Sequence, residues 1–343
     1  MNVRPKTKSA HRLRLLLSYL RRKTVCPGLP LWAAISSTSR CNLRCPMCPR
    51  AISEFGNRDI DFDLFTKIVD EGAPYFECVI PYGGGEPLLN PRIFEMVRYC
   101  REKRIYTLLS TNATLLDADR TEALLDSGLD YLIIAFDGTT PEVYEQYRVG
   151  ADFAKVRANI LHFLKRKVER KSRTGVALQM VRLPANRHQV ADYRRMWRLP
   201  GVDAVRIKED EICVEGVGLE ERKHQPAKRK NPCYFLWQGP VYIEENGDVF
   251  PCCHAWTAQP VGNVAKKPLA EIWNNETMQA MRRAHLEGRP EAFPECANCL
   301  APRPRFPLIV GSYLASALHV RKLIPVMERL SLRYGISLFE DRR

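Results

Sequence analysis

No apolar run in this 343-residue chain is long enough to span a bilayer. The longest uncharged stretch, residues 249–265, holds 17 residues and is interrupted by two Pro, a His, a Gln and an Asn, against the ~20 predominantly apolar residues that a spanning helix needs. A cleavable export signal is also missing. The short apolar run from Leu15 to Leu20 is followed at once by Arg21, Arg22 and Lys23, with no small-residue cleavage site behind it. Together with a mean hydropathy of −0.30, these absences exclude a polytopic membrane protein and make the cytoplasm the expected compartment. A hydrophobic fraction of 45% excludes disorder. There is no internal repeat and no long low-complexity tract. No Gly-x-Gly-x-x-Gly follows the first apolar run, so the dinucleotide-binding signature is missing too.

Acids are scarce at both ends. Residues 1–24 carry eight Lys/Arg and no acid, and residues 301–343 carry eight Lys/Arg and three acids. The net charge of +14 is therefore almost entirely terminal. A nearly neutral body with cationic ends is a poor nucleic-acid-binding domain, and no nucleic acid is expected as a partner. It suits contact between the ends and an anionic surface better. In the first segment Leu13, Leu16, Leu17 and Leu20 share helical spacing beside Arg12, Arg14, Arg21, Arg22 and Lys23. In the last, Val320, Leu323, Ile324, Met327, Leu330 and Tyr334 repeat the pattern. Such stripes serve either as packing faces or at a membrane surface, here the inner one.

Between the ends, six short β-rich runs (31–36, 79–82, 106–110, 131–136, 176–181 and 204–208) alternate with helical periodicity near 61–72, 91–103, 119–127, 153–170 and 188–198. That alternation predicts an α/β fold, a partial (β/α)6 TIM-like barrel. The alternation stops near 210. A basic stretch over 220–232 reads as a linker. A cysteine-rich segment follows, with a hairpin turning at Asn246-Gly247. The expected divisions are 1–29, 30–215, 216–302 and 303–343.

Twelve cysteines in a cytoplasmic chain point to metal ligands or buried thiols rather than disulfides. Cys41, Cys45 and Cys48 fall within eight residues directly after the first predicted strand. Three thiolates on a wrapping loop suit an iron–sulfur cubane with one iron left open, whereas four would saturate it. Further segments lie at the ends of successive strands: Tyr82-Gly83-Gly84-Gly85-Glu86-Pro87 at the second, Ser110-Thr111-Asn112 at the third, and Phe136-Asp137-Gly138 at the fourth, followed by Tyr144 to Arg148. Over roughly 30–210 this set resembles the radical S-adenosylmethionine (radical SAM) superfamily. The resemblance implies a 4Fe–4S cluster on Cys41, Cys45 and Cys48, and S-adenosylmethionine (SAM) held by Gly83, Gly84, Gly85, Glu86, Pro87, Ser110, Asn112, Asp137 and Arg148. Met47 stands where many members have an aromatic, and Ala135 where many have Ser. Met47 is expected to cover the adenine.

A second set, Cys233, Cys252, Cys296 and Cys299, resembles the SPASM/twitch extension of this superfamily. Cys252 rather than Cys253 fits the Gly-x4-Cys spacing from Gly247. No cysteine follows Cys299, which implies one auxiliary 4Fe–4S cluster rather than two. A zinc site is the alternative for four thiolates. The family's chemistry implies reductive cleavage of SAM to a 5′-deoxyadenosyl radical, which takes a hydrogen atom from substrate. An electron donor such as flavodoxin or ferredoxin is implied. Oxidation or crosslinking is expected if the auxiliary cluster accepts an electron, and epimerisation if a thiol such as Cys213 returns hydrogen. Lys208, Glu209, Asp210 and Glu211 lie near Cys213 at the sixth strand's end and read either as an exposed charge run or as a substrate contact or catalytic base, with Glu209 and Asp210 the candidates. The substrate is left open between a lipid-linked molecule, a peptide and a sugar. A non-catalytic iron–sulfur or zinc regulator is the alternative to an enzyme.

Overall fold

The structure is a computed structural model. It describes residues 7–212, 217–218, 231–255, 258–297, 299, 301 and 304–315. After an N-terminal helix, α1 (Lys8–Leu20), come six parallel strands: β1 (Trp32–Ile35), β2 (Cys78–Ile80), β3 (Tyr106–Thr111), β4 (Tyr131–Ala135), β5 (Gly175–Arg182) and β6 (Ala204–Glu209). The crossovers are α2 (Phe62–Gly72), α3 (Ile93–Glu102), α4 (Ala118–Ser127), α5 (Pro141–Tyr147) with α6 (Phe153–Glu169), and α7 (Val190–Met196). These are the six strands and the five intervening helical stretches that the periodicity predicts. α5 is an addition, because its seven residues are too few to show a period.

The helix boundaries follow local chemistry. Asp61, Asp117 and Asp152 accept hydrogen bonds from backbone N–H groups in the first turns of α2, α4 and α6, satisfying donors with no partner inside the helix. Gly128 ends α4 at φ +75°, a left-handed position that suits glycine. β4 is buried along its whole length, as befits a strand with helices on one side and the barrel interior on the other.

The cysteine-rich segment contributes α8 (Phe235–Gln238), β7 (Val241–Ile243), β8 (Asp248–Phe250), β9 (Gly262–Asn263), α9 (Leu269–Trp273), α10 (Glu276–Leu286) and α11 (Pro294–Ala297). The hairpin forms where the sequence places it. Gly247 N donates to Glu244 O at 2.9 Å, and Gly247 has φ +89°. Its partner is unexpected. β7 pairs in parallel with β1, Ala33 opposite Val241, so the barrel sheet runs on into the hairpin as one nine-stranded sheet. A hydrogen-bonded pair some 200 residues apart leaves no periodic trace in the sequence.

α1 lies across the N-terminal ends of the barrel strands. Arg12 pairs with Glu77, just before β2, and Lys8 Nζ donates to Arg104 O at 3.1 Å, just before β3. α1 also packs against α8 and against the last described helix, α12 (Phe306–Leu314). Its buried face is His11, Leu15, Leu16, Ser18 and Tyr19. Of the leucine stripe expected to share a face, only Leu16 is buried, and Leu13, Leu17 and Leu20 are exposed. Polar anchors set this rotation: His11 Nε2 is 2.7 Å from Leu29 O, and Tyr19 Oη donates to Pro232 O at 3.0 Å. The second stripe, from Val320 to Tyr334, lies outside the described residues. Among the described residues no helix is long and apolar enough to cross a membrane.

Candidate functional site at the C-terminal ends of the strands

The loop after β1 carries Cys41, Cys45 and Cys48, and its wrapping is hydrogen-bonded throughout. Arg40 grips Asp59 with two bonds, 3.1 and 2.6 Å, and donates to Leu89 O at 2.8 Å. Arg50 donates to Ser39 O at 2.5 Å and to Gly84 O at 3.1 Å, stacking its guanidinium over Phe55. Cys48 N donates to Cys45 O at 3.1 Å. The three thiols face one another closely enough to interact. Burial pushes the Cys45 and Cys48 thiols up, Cys41 raises both further, and Arg148 pulls both down. Among the described residues no three Cys, His, Asp or Glu converge on a point that would hold a single ion. A cubane spreads its irons over four corners, so its thiols need not meet at a point. This half-buried, mutually facing set fits such a group.

The glycine segment after β2 is packed against this loop. A Cβ on Gly85 would lie 2.3 Å from Thr38 O and 2.6 Å from Arg40 O, both backbone atoms of the cysteine loop. One on Gly84 would strike the Phe55 ring at 2.1 Å, and one on Gly83 the Tyr242 hydroxyl at 2.6 Å. The sequence suggests glycines that let backbone approach a ligand. Gly85 also lets backbone approach backbone, which fixes the cysteine loop, while Gly84 and Gly83 pack against the Phe55 and Tyr242 side chains. Gly85→Ala is expected to cost about 1–3 kcal/mol in denaturant melts, since rigid carbonyls would have to move. A melt unchanged from wild type would show that the loop yields.

Glu86 is buried with both oxygens engaged. Oε1 accepts from Thr111 Oγ1 at 2.7 Å and Leu88 N at 3.2 Å, and Oε2 accepts from Asn112 N at 2.8 Å. Burial pushes its pKa up and these three donors oppose the shift. Glu86, with Pro87 opening a short 3-10 turn, thus ties the ends of β2 and β3 together. Asn112 Nδ2 donates to Asn42 Oδ1 at 3.0 Å, and Asn42 Nδ2 to Thr114 Oγ1 at 2.7 Å. Sequence reasoning passed over Asn42, although it stands between Cys41 and Cys45. The next residue, Ala113, is fully buried at φ +57°, a strained conformation for a residue with a Cβ.

Asp137 has no exposed surface. Its Oδ1 accepts from Val181 N at 2.6 Å and its Oδ2 from Arg148 Nε at 2.6 Å. Arg148 Nη1 reaches Cys45 Sγ at 3.8 Å. Burial works against the Arg148 charge, but Asp137 and Cys45 more than offset it, and its pKa lies above the usual value. The sequence expects both residues near SAM. The structure joins them into a relay from the end of β4 to the cysteine loop, placing fixed positive charge where a thiolate is needed.

A cavity of about 400 Å³ opens beside these residues, inside the barrel mouth. Met47, Tyr82, Gly83, Cys253 and His254 are among its lining residues. Met47 packs with Tyr147 and Leu183. Ser110 is half-buried on β3. Glu209 and Asp210 also reach the cavity wall, each already engaged. Arg182 holds Glu209 with two bonds of 2.8 Å, and Asp210 Oδ1 accepts from Ile212 N at 2.9 Å. Glu211, the last residue of the charged run at the end of β6, pairs with Lys208 at 2.9 Å and lies 3.8 Å from His254 Nδ1. Cys213 lies outside the described residues.

In the second cysteine set, Cys233 precedes α8, Cys252 follows β8, Cys296 lies in α11 and Cys299 just after it. Burial drives the Cys252 thiol well above its ordinary value, and Cys253, Cys233 and Cys299 act on it in the same direction. Cys299 follows Cys296 through a short turn, with Cys299 N 3.5 Å from Cys296 O. Burial is the main cause that pushes the Cys253 thiol up to about 12, with Lys208 opposing the shift and Glu211 and Cys299 adding to it.

A half-barrel with a three-thiol loop at its strand ends and further thiols in the cysteine-rich segment defines an iron–sulfur enzyme. The radical SAM superfamily model matches residues 35–195, and a model described as an iron–sulfur cluster-binding domain, SPASM, matches 233–300. Between them they account for more than half of the chain, which belongs to the radical SAM superfamily. Its cofactors are SAM and a 4Fe–4S cluster, with auxiliary iron–sulfur in the C-terminal domain. The chain is 27% identical over 303 residues to a PqqA peptide cyclase of Gluconobacter oxydans, covering 80% of this chain and 83% of that protein. It is 27% identical over 309 residues to a tungsten-containing aldehyde ferredoxin oxidoreductase cofactor-modifying protein of Pyrococcus furiosus, covering 76% and 85%. In fold it resembles Streptococcus suis SuiB bound to S-adenosylmethionine, with a TM-score of 0.62 at 15% identity over 80% of this chain and 72% of that one.

Proposed function

We propose that this enzyme modifies a peptide by removing a hydrogen atom from a side chain or Cα placed in the cavity. Cys41, Cys45 and Cys48 hold the SAM-binding cluster, and Cys233, Cys252, Cys296 and Cys299 hold one auxiliary cluster. When bound, these groups supply a 5′-deoxyadenosyl radical on one side and an electron acceptor on the other. The observation that carries the reading is the cavity itself, whose lining includes Met47, next to Cys48 of the first thiol set, and Cys253, next to Cys252 of the second. Its size suits one residue of a chain threaded across the mouth. The PqqA peptide cyclase relative supports a peptide as the substrate class. Tyr82 and Val181 give the cavity apolar walls that keep water from the reacting carbon. Glu211, held by Lys208 and His254, is placed to take up a proton from the oxidised residue.

Cys253 supports a second reading, in which a thiol returns a hydrogen atom and the product is an epimer. One experiment separates the two. Wild type, Cys253→Ala and Cys252→Ala are reconstituted with iron and incubated with SAM, reductant and candidate peptides in D2O. Under the leading reading Cys253→Ala keeps its auxiliary iron and its product, the product is two hydrogens lighter, and Cys252→Ala loses the auxiliary iron. One deuteron gained, and lost with Cys253→Ala, is the epimerase outcome. No mass change on any peptide, with 5′-deoxyadenosine still released, removes the peptide reading.

A further inference from the structure

We propose that the outer face of α1 docks this enzyme on an anionic membrane surface, with the reaction site turned away from the lipid. This goes beyond the catalytic reading and does not depend on it. Leu13, Leu17 and Leu20, at i, i+4 and i+7, are 51%, 37% and 44% exposed. Val25, just past the helix, is 55% exposed. A shallow groove of about 260 Å³ joins Leu17 and Val25 to Arg14, Arg21 and Lys23, so the apolar side chains and the cations form one continuous surface. The neighbouring helix α12 adds exposed Phe306 and Leu314. Exposed leucines flanked by Lys and Arg are the composition of an interfacial helix, which sinks its apolar face while its cations meet lipid phosphates.

Charge decides among the occupants such a face could have. The first acid in the chain is Glu54, so α1 and the segment after it as far as Val25 carry no acid of their own. Glu287, which follows the Leu286 carbonyl bonded by Arg22, is itself paired with Arg289. Residues 301–343 carry a net positive charge. Laying that segment, or a second copy of α1, over Arg14, Arg21 and Lys23 would bring like charges together. An anionic lipid surface meets both the apolar and the cationic parts.

The orientation follows from the fold. Arg12 and Lys8 fasten α1 to residues that precede β2 and β3, at the N-terminal ends of the strands. The cysteine loop and the cavity lie at the C-terminal ends. A membrane against α1 therefore leaves the cavity facing the aqueous side. That arrangement suits a soluble substrate and disfavours a lipid buried in the same bilayer.

The test is flotation of the full-length protein with vesicles at 150 mM salt as an approximate physiological setting. One set of vesicles is phosphatidylcholine with phosphatidylglycerol, the other phosphatidylcholine alone. Flotation with the first and not the second is expected. Leu13→Ser/Leu17→Ser/Leu20→Ser is expected to float at least about tenfold less, at an unchanged melting temperature, given the area those side chains would bury. Arg14→Gln/Arg21→Gln/Lys23→Gln should lose about fivefold per cation removed. No flotation on anionic vesicles, or both variants floating like wild type, overturns the proposal. So does a leucine variant that melts early or changes oligomeric state, because another part of this chain or a second copy then covers the face.

Discussion

Replacing Cys41, Cys45 and Cys48 together by Ala is expected to halve the iron of the reconstituted protein, from about eight per chain to about four, counting four per cubane. Release of 5′-deoxyadenosine should fall to the no-enzyme background. The expectation rests on how separately the two thiol sets are built. The first is fixed by contacts within the barrel: Arg40 to Asp59, Arg50 to Gly84 O, and the close packing of Gly85 on Thr38 O. The second hangs on β8, α11 and the chain before α8. Removing three thiols from the first leaves those supports intact, so the remaining iron should stay and the fold should persist. Iron assay, absorbance near the sulfur-to-iron bands and product chromatography read the three effects independently. If the triple variant kept all its iron, or lost all of it, the division of cysteines would be wrong. Asp137→Asn offers a milder companion. It keeps the shape but weakens the hold on Arg148, and is expected to slow cleavage while leaving iron near its full content.

Arg282→Met is expected to destabilise the fold by about 3 kcal/mol or more in chemical denaturation, since several buried acceptors lose a charged donor at once. Arg282 is fully buried in α10. Its Nε donates to Leu236 O, its Nη1 to Thr24 O and its Nη2 to Trp273 O, each at 2.8 Å, and its guanidinium sits 5.0 Å from the centre of the Trp273 ring. One side chain thus joins the N-terminal segment, α8, α9 and α10. Burial lowers its pKa, yet the three carbonyls give the charge its partners. Lys has the charge but no planar fork to reach three acceptors, so Arg282→Lys should recover only a small part of the loss. A loss under about 1 kcal/mol for Arg282→Met would mean that water replaces the guanidinium.

Much of this was legible in the chain because it is local. Six strands and the five helical stretches between them show as alternating periods of two and 3.6 residues, each within a short window of the chain. Cys41, Cys45 and Cys48 announce themselves by spacing on one loop. The hairpin is written in Asn246-Gly247, because a two-residue signal suffices for a turn. The glycines after β2 were visible too, but the reason for them was not. Whether a missing Cβ makes room for a ligand or for Thr38 O depends on a loop more than forty residues away. Arg282 reads in sequence as one more cation on an amphipathic helix.

The sequence by itself determined the class of chemistry, through three thiols at fixed intervals after the first strand, and the confinement of positive charge to the ends. Only the tertiary structure decided the parts that require distant residues to meet. It set β7 beside β1, brought Cys252 within electrostatic reach of Cys233 and Cys299, joined Arg148 to both Asp137 and Cys45, and rotated α1 so that Leu15 and Tyr19 go in while Leu13 and Leu17 stay out. The physical reason is common to all four. Periodicity and spacing encode what a residue does for its own element. Which element it meets is set by burial and hydrogen bonding summed over the whole fold, and no short window of sequence contains that sum.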